Sequence, residues 1–155
     1  NVVRMLLKTL AYEHQDDLLP AKWEIEHIFP QKWQTNYFPD EPDATIKEKI
    51  EHIGNKLPFE KKLNIVAGNG YFGKKKKEYI ASKIVITKAM GTSDVMDWNL
   101  ESITKRDIRV SDEVVKIMNR WNNEYLNTPV SEGKAGEPSE EELAQIEKFK
   151  KNGWI

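Results

Sequence analysis

Hydrophobic and polar positions change period several times along this 155-residue chain, and each change predicts an element. Val3, Leu6, Leu7 and Leu10 recur at helical spacing, which predicts an amphipathic helix up to about Gln15, ended by Asp16, Asp17 and Pro20. From Lys22 to Phe29 the period falls to two, with Trp23, Ile25, His27 and Phe29 on one side and Glu24, Glu26 and Ile28 on the other. That is a strand, and Pro30 stops its pairing. Pro39 to Pro42 reads as a loop, Ala44 to Ile53 as a short helix, and Gly54 with Asn55 as a turn. A second short strand is expected over Lys56 to Phe59, then a helix over Glu60 to Ala67, broken by Gly68, Asn69 and Gly70.

A long basic helix follows from about Phe72 to Met90, with Gly91 as its C-terminal cap. Its Tyr79, Ile80, Ile84, Thr87 and Met90 can face inward while the lysines stay in water. Asn99 and Ser111 look like caps of two further helices, the second burying Val114, Val115, Met118, Trp121 and Tyr125. Residues 127–138 are rich in Gly, Pro, Ser and Glu and read as a linker. Ser139 with Glu142 then opens a C-terminal amphipathic helix over residues 139–155, carrying Leu143, Ile146 and Phe149. The chain is therefore expected to be α+β and mostly helical, a two-stranded hairpin surrounded by helices, with one domain over residues 1–126 and its core motif in 22–91.

Composition narrows the chemistry. Hydrophobic residues make up 39% and charged residues 32%, without an apolar run long enough to span a bilayer, so a cytoplasmic protein away from membranes is expected. Cysteine is absent, which removes disulfides, thiol catalysis and Cys-type zinc sites together. Any metal must sit on oxygen and nitrogen ligands. The first residue is Asn1, as expected of a fragment of a longer polypeptide. A net charge of −1 conceals an uneven distribution, since Asn55 to Lys88 hold nine Lys against two Glu, whereas residues 131–147 hold six Glu and one Lys. A basic middle and an acidic tail suit a protein that turns one face to a polyanion.

Glu26 and His27, at the end of the first strand, supply the pair that phosphodiester hydrolysis needs. A neutral imidazole can take a proton from water near pH 7, and a carboxylate can hold Mg²⁺ or Mn²⁺, with the amide oxygen of Asn64 completing a sparse one-metal site. Asn55, following Gly54, suits a turn-tying role. Glu24 lies on the strand face of Glu26 and is a candidate supporting carboxylate behind the ligands, with a plain exposed carboxylate as the alternative. The run Lys74, Lys75, Lys76 and Lys77 is placed to follow a DNA backbone, although by itself such a run is usually a solvated helix face. His14 and His52 read as solvated helix residues. Trp23, Trp33, Trp98 and Trp121 read as core or core-edge residues rather than base-stacking platforms.

The stretches Ile25 to Gln31, Ile53 to Asn55, Leu63 with Asn64, Asn69 with Phe72, Lys75 and Tyr79, and the later Trp98, Ile103 and Arg106 together resemble the HNH, or ββα-metal, nucleases. The resemblance is greatest to the C-terminal HNH domain of GmrSD-type, modification-dependent restriction endonucleases and related anti-phage proteins, over about residues 20–110. The acid, histidine, asparagine, asparagine order is also similar to that of the HNH domain of CRISPR effector nucleases. The resemblance implies a ββα-metal core and a metal-dependent DNA endonuclease. Glu26 and Asn64 would be ligands to one Mg²⁺ or Mn²⁺, His27 the general base, Asn55 the second catalytic-site residue in a positioning role, and Lys75 a phosphate contact. It further implies DNA as partner and a sensor or NTPase-type domain, N-terminal or on a partner subunit. This sequence has Glu where many HNH enzymes have Asp or His, Asn64 in place of the final His, and Lys56 where the resembling group usually has Leu. A catalytically silent nucleic-acid-binding or regulatory module on the same fold is the alternative.

Overall fold

The computed structural model describes residues 2–34 and 41–127 continuously, and residues 140, 143, 144, 147 and 150 singly. In chain order the elements are α1 (Val2–Glu13), β1 (Trp23–His27), α2 (Asp43–Ile50), a 3₁₀ turn (Ile53–Asn55), β2 (Lys56–Glu60), α3 (Lys61–Ala67), α4 (Phe72–Ile80), α5 (Val85–Thr92) and α6 (Leu100–Asn127). The architecture is thus mostly helical around one two-stranded antiparallel hairpin. The strands pair from Trp23 opposite Glu60 to His27 opposite Lys56. The chain divides into a compact unit over residues 1–120 and a second over 121–155.

Three apolar clusters among the described residues hold the first unit. One gathers Ile28, Phe29, Leu57, Phe59, Phe72, Tyr79, Trp98 and Ile103 with Ile46 and Ile50 of α2. A second joins Leu7 and Ala11 of α1 to Trp23 and Ile84, and a third joins Leu10 of α1 to Val110 and Ile117 of α6. Burying each such side chain contributes about 1.5–3 kcal/mol, so the hairpin is stabilised from several sides by packing rather than by its few ladder bonds.

Two expectations about the helices are corrected. The basic stretch is not one helix from Phe72 to Met90 but α4 and α5, separated at Ala81–Ile84. Ser82 Oγ accepts from Ile84 N at 3.0 Å, and the Glu60 carboxylate receives Lys83 N at 2.6 Å and Ser82 Oγ at 2.7 Å. A local hydroxyl and a carboxylate from the end of β2 thus satisfy the donors of the connection, Val85 N at the start of α5 donates to Gln15 Oε1 at 3.0 Å, and these bonds favour the break over a continuous helix. Gly91 lies within α5 rather than capping it, and its lack of a side chain allows close packing. A Cβ there would lie 2.6 Å from Ile80 N and 2.8 Å from Tyr79 C.

Likewise Ser111 starts no helix. Asn99 does act as a cap, its Oδ1 accepting from Ser102 N at 2.9 Å, and α6 then runs through Ser111 without interruption. Its buried stripe is Ile103, Arg106, Val110 and Ile117, a single helical period, so nothing in the packing calls for a restart. Of the residues expected inside, Val114 is half-buried, whereas Val115, Met118, Trp121 and Tyr125 are exposed. Ile80 is also exposed rather than inward-facing. Of the linker expected over residues 127–138, Asn127 is instead the last residue of α6; residues 128–138, the Ser139 cap, and Pro39 and Asp40 of the expected loop fall outside the described residues. Those described singly between 140 and 150 are helical. No helix among the described residues is long and apolar enough to cross a membrane.

Candidate active site

The hairpin carries Glu26 and His27 to the C-terminal end of β1, where the ladder stops. Beyond His27, Ile28 N donates to the Asn55 carbonyl at 2.8 Å, and the Asn55 side chain takes over the role of a strand partner. Its Oδ1 accepts from Phe29 N at 2.7 Å and Trp98 Nε1 at 3.2 Å; its Nδ2 donates to the carbonyls of Phe29 and Ile50 at 3.0 Å each. Asn55 is fully buried and its amide is committed within the protein. It therefore fixes the path of the chain after His27 and has no capacity left for substrate, which narrows its expected catalytic-site role to positioning.

The turn before Asn55 is anchored from α6. Asp107 Oδ1 accepts from Gly54 N at 2.6 Å while Oδ2 pairs with His52 Nδ1 at 2.6 Å. Arg106 donates to the carbonyls of Ile53, Gly54 and Lys56 at 3.2, 2.9 and 2.8 Å. Burial lowers the Arg106 pKa to about 10, so it remains a cation at neutral pH. Gly54 permits this approach, because a Cβ would lie 2.3 Å from the Ile103 carbonyl oxygen.

A cavity of about 240 Å³ opens at the strand end, lined by Ile25, Glu26, His27, Gln31, Asn64, Gly68, Asn69 and Lys75. Neighbouring residues within a strand point to opposite faces. Glu26 and His27 nevertheless border the same cavity, because the pairing ends at His27 and the chain turns. α3 supplies Asn64 from the other side, and Gly68, at φ 53°, terminates that helix in a left-handed conformation available to glycine.

Glu26 is buried and doubly held. Tyr79 OH donates to its Oε1 at 2.7 Å, and Lys75 Nζ lies 2.7 Å from the same oxygen. Lys75 Nζ also donates to the His27 backbone carbonyl, so one ammonium group touches both residues. Burial pushes the Lys75 pKa down, opposed by Glu26; burial and the Glu26 charge together push the Tyr79 phenol well up. His27 Nε2 faces Glu51 at 3.4–3.5 Å and the Gln31 amide at 3.4 Å. Burial lowers the His27 pKa, with Glu51 resisting, so the imidazole is neutral at pH 7. Glu51 is held in turn by Lys56 Nζ at 2.6 Å, which lowers its own pKa.

Glu26, His27 and Asn64, brought together by the fold, border one cavity. Glu24 does not; it forms a half-exposed ion pair with Lys61 at 3.1 Å. The lysine run divides. Lys74 and Lys77 are exposed, whereas Lys75 is buried against Glu26 and Lys76 Nζ donates to the carbonyls of Ser93 and Val95. Lys75 lies three residues after Phe72 and four before Tyr79, on the buried face of α4, so the expectation that all four lysines stay in water is corrected. His14 and His52 are not merely solvated: His14 Nε2 meets Glu113 at 2.5 Å, and His52 meets Asp107. Nothing local in the sequence signals Glu51 beside His27, since that pairing spans 24 positions. No group of three or more His, Cys, Asp or Glu able to hold a metal occurs among the described residues.

Residues 1–110 match the family model of the C-terminal domain of GmrSD restriction endonucleases. The chain belongs to this family. The match includes the hairpin, the cavity and the anchoring residues Arg106 and Asp107 of this GmrSD-type domain. No curated protein and no solved structure matches the chain. Membership identifies a restriction-endonuclease-related nuclease domain.

Proposed function

We propose that this domain hydrolyses DNA phosphodiesters at the cavity beside β1, on a ββα-metal core formed by β1, β2 and α3. The observation that carries this reading is the convergence of Glu26, His27 and Asn64 on one cavity at the strand end. The donor chemistry fits a hard divalent cation. A carboxylate and an amide are oxygen donors, and both polar contacts to Glu26 fall on Oε1, which leaves Oε2 for a ligand in the cavity. Two protein donors make a sparse site, of the kind Mg²⁺ or Mn²⁺ completes with water and phosphate oxygens. Held there by Glu26 and Asn64, the ion would stabilise the charge developing on the leaving oxygen.

His27 acts as general base. Its lowered pKa keeps the imidazole unprotonated at neutral pH. In the tautomer that donates Nε2–H to Glu51, Nδ1 is the nitrogen left to remove a proton from the attacking water. Asn55 holds the backbone at Phe29 and so fixes the direction of the preceding His27. Exposed Lys74 and Lys77 follow the DNA backbone and supply affinity without reading sequence. Target selection belongs to a sensor or NTPase-type domain, on the same polypeptide or a partner, with the cytoplasm as the working compartment.

One observation favours the alternative of a silent binding module. The Lys75 ammonium already neutralises Glu26, so a cation must bind beside a positive charge. Plasmid nicking by the purified chain with Mg²⁺ or Mn²⁺ decides between them. The expected result is divalent-dependent nicking by the wild type, lowered at least about 100-fold in His27→Ala, in line with the contribution of a general base. Equal nicking by His27→Ala, or none by the wild type with either ion, would refute the catalytic reading.

A further inference from the structure

Lys75 and Tyr79 reach Glu26 from successive turns of α4 and meet it on one oxygen. Both are fully buried side chains, and Tyr79 is wedged edge-on against Phe59 with ring centroids 5.2 Å apart. A phosphate-contacting lysine needs its ammonium at the surface. Lys75 has its ammonium inside, shared between Glu26 Oε1 and the His27 carbonyl. A free carboxylate can rotate about its last torsion and offer either oxygen, or both, to a cation. Two donors fixed on Oε1 remove that freedom.

We propose that Lys75 and Tyr79 are positioning residues that clamp Oε1 of Glu26, so that a metal ion meets the carboxylate through Oε2 alone, and that Lys75 holds the adjacent His27 backbone in the same grip. The inference rests on the reading of Glu26 as a metal ligand. It assigns to Lys75 a role other than phosphate binding, and to Tyr79 a role beyond packing. Its consequence is a division of labour along α4. Lys74 and Lys77 act on DNA affinity, whereas Lys75 and Tyr79 act on the ion. Tyr79→Phe isolates the effect, because it keeps the ring in the core and removes only the oxygen that touches Glu26.

Mn²⁺ binding to the full 155-residue chain, followed by calorimetry and by the electron spin resonance signal of free Mn²⁺, tests the clamp alongside steady-state nicking. Wild type, Glu26→Gln, Tyr79→Phe and the double variant Lys74→Ala/Lys77→Ala are compared. Second-sphere partners of metal ligands typically contribute 10–100-fold, so Tyr79→Phe is expected to weaken Mn²⁺ at least about 10-fold and to lower kcat at fixed Mn²⁺ while leaving the KM for DNA unchanged. The double lysine variant is expected to do the reverse, raising KM with Mn²⁺ affinity intact. Unchanged Mn²⁺ affinity in Tyr79→Phe, with Glu26→Gln having lost it, overturns the clamp while leaving the ligand reading standing. Equal Mn²⁺ binding by wild type and Glu26→Gln overturns both. A fall in Tyr79→Phe thermal stability without a change in Mn²⁺ affinity assigns Tyr79 to packing and also overturns the clamp.

Discussion

Replacing Asn55 by Ala should unfold the active site before it affects the chemistry. The side chain makes four hydrogen bonds, to Phe29 N, Phe29 O, Ile50 O and Trp98 Nε1, all within a fully buried environment. At about 1 kcal/mol for each bond the loss is about 4 kcal/mol, and an orphaned buried N–H at Phe29 adds to it. Against a typical stability of about 5–15 kcal/mol, this takes much of the margin. Urea unfolding followed by circular dichroism would read the change as a lower midpoint at constant slope. Asn55→Asp should be at least as unstable at pH 7, because it retains the acceptor for Phe29 N but turns a second acceptor toward two carbonyls. Its stability should rise as pH falls and the buried carboxyl gains a proton. A loss below about 1 kcal/mol in Asn55→Ala, accompanied by loss of nicking, would refute the positioning role and return Asn55 to the reaction itself.

Other perturbations probe the remaining parts of the site. Since burial holds the His27 pKa below its ordinary value and Glu51 resists that shift, the acid limb of kcat/KM should fall below the free-imidazole range. Glu51→Gln should move that limb to still lower pH, and movement to higher pH would contradict the assigned partner. Lys74→Ala with Lys77→Ala should reduce the magnitude of the log–log salt slope of DNA binding by about 1–2, read from fluorescence anisotropy at several salt concentrations. An unchanged slope would remove both from the DNA path. Gly54→Ala places a Cβ 2.3 Å from the Ile103 oxygen and 2.7 Å from Asp107 N, so a loss of about 3 kcal/mol or more is expected in urea unfolding. Truncation after Thr128 should leave the melting temperature of the hairpin-containing unit, residues 1–120, unchanged; a drop of more than about 5 °C would tie the tail to that unit.

What the sequence made legible was local. Period-two alternation located β1, helical spacing located α1, and the glycines and asparagines located the turn between α2 and β2. The Glu26–His27 pair could be placed because strand end and chemistry coincide in adjacent residues. The break between α4 and α5 was not legible, since it depends on Glu60, some 22 positions from Ser82, arriving to cap it. Nor could charge alone divide the lysine run. Lys74 and Lys75 are chemically identical in sequence, and only the packing of α4 against β1 puts one in water and the other on Glu26. Exposed apolar residues on the far end of α6 misled in the same way, because an apolar residue at helical spacing is buried only if something covers it.

A crystal grown with Mn²⁺ and examined by anomalous scattering tests the one-metal site most directly. The expected result is a single strong peak in the 240 Å³ cavity, about 2.1 Å from Glu26 Oε2 and the Asn64 side-chain oxygen, with Tyr79 and Lys75 still on Oε1. A Mn²⁺ peak elsewhere, or a cavity that stays empty at millimolar Mn²⁺ with Lys75 alone neutralising Glu26, would contradict it.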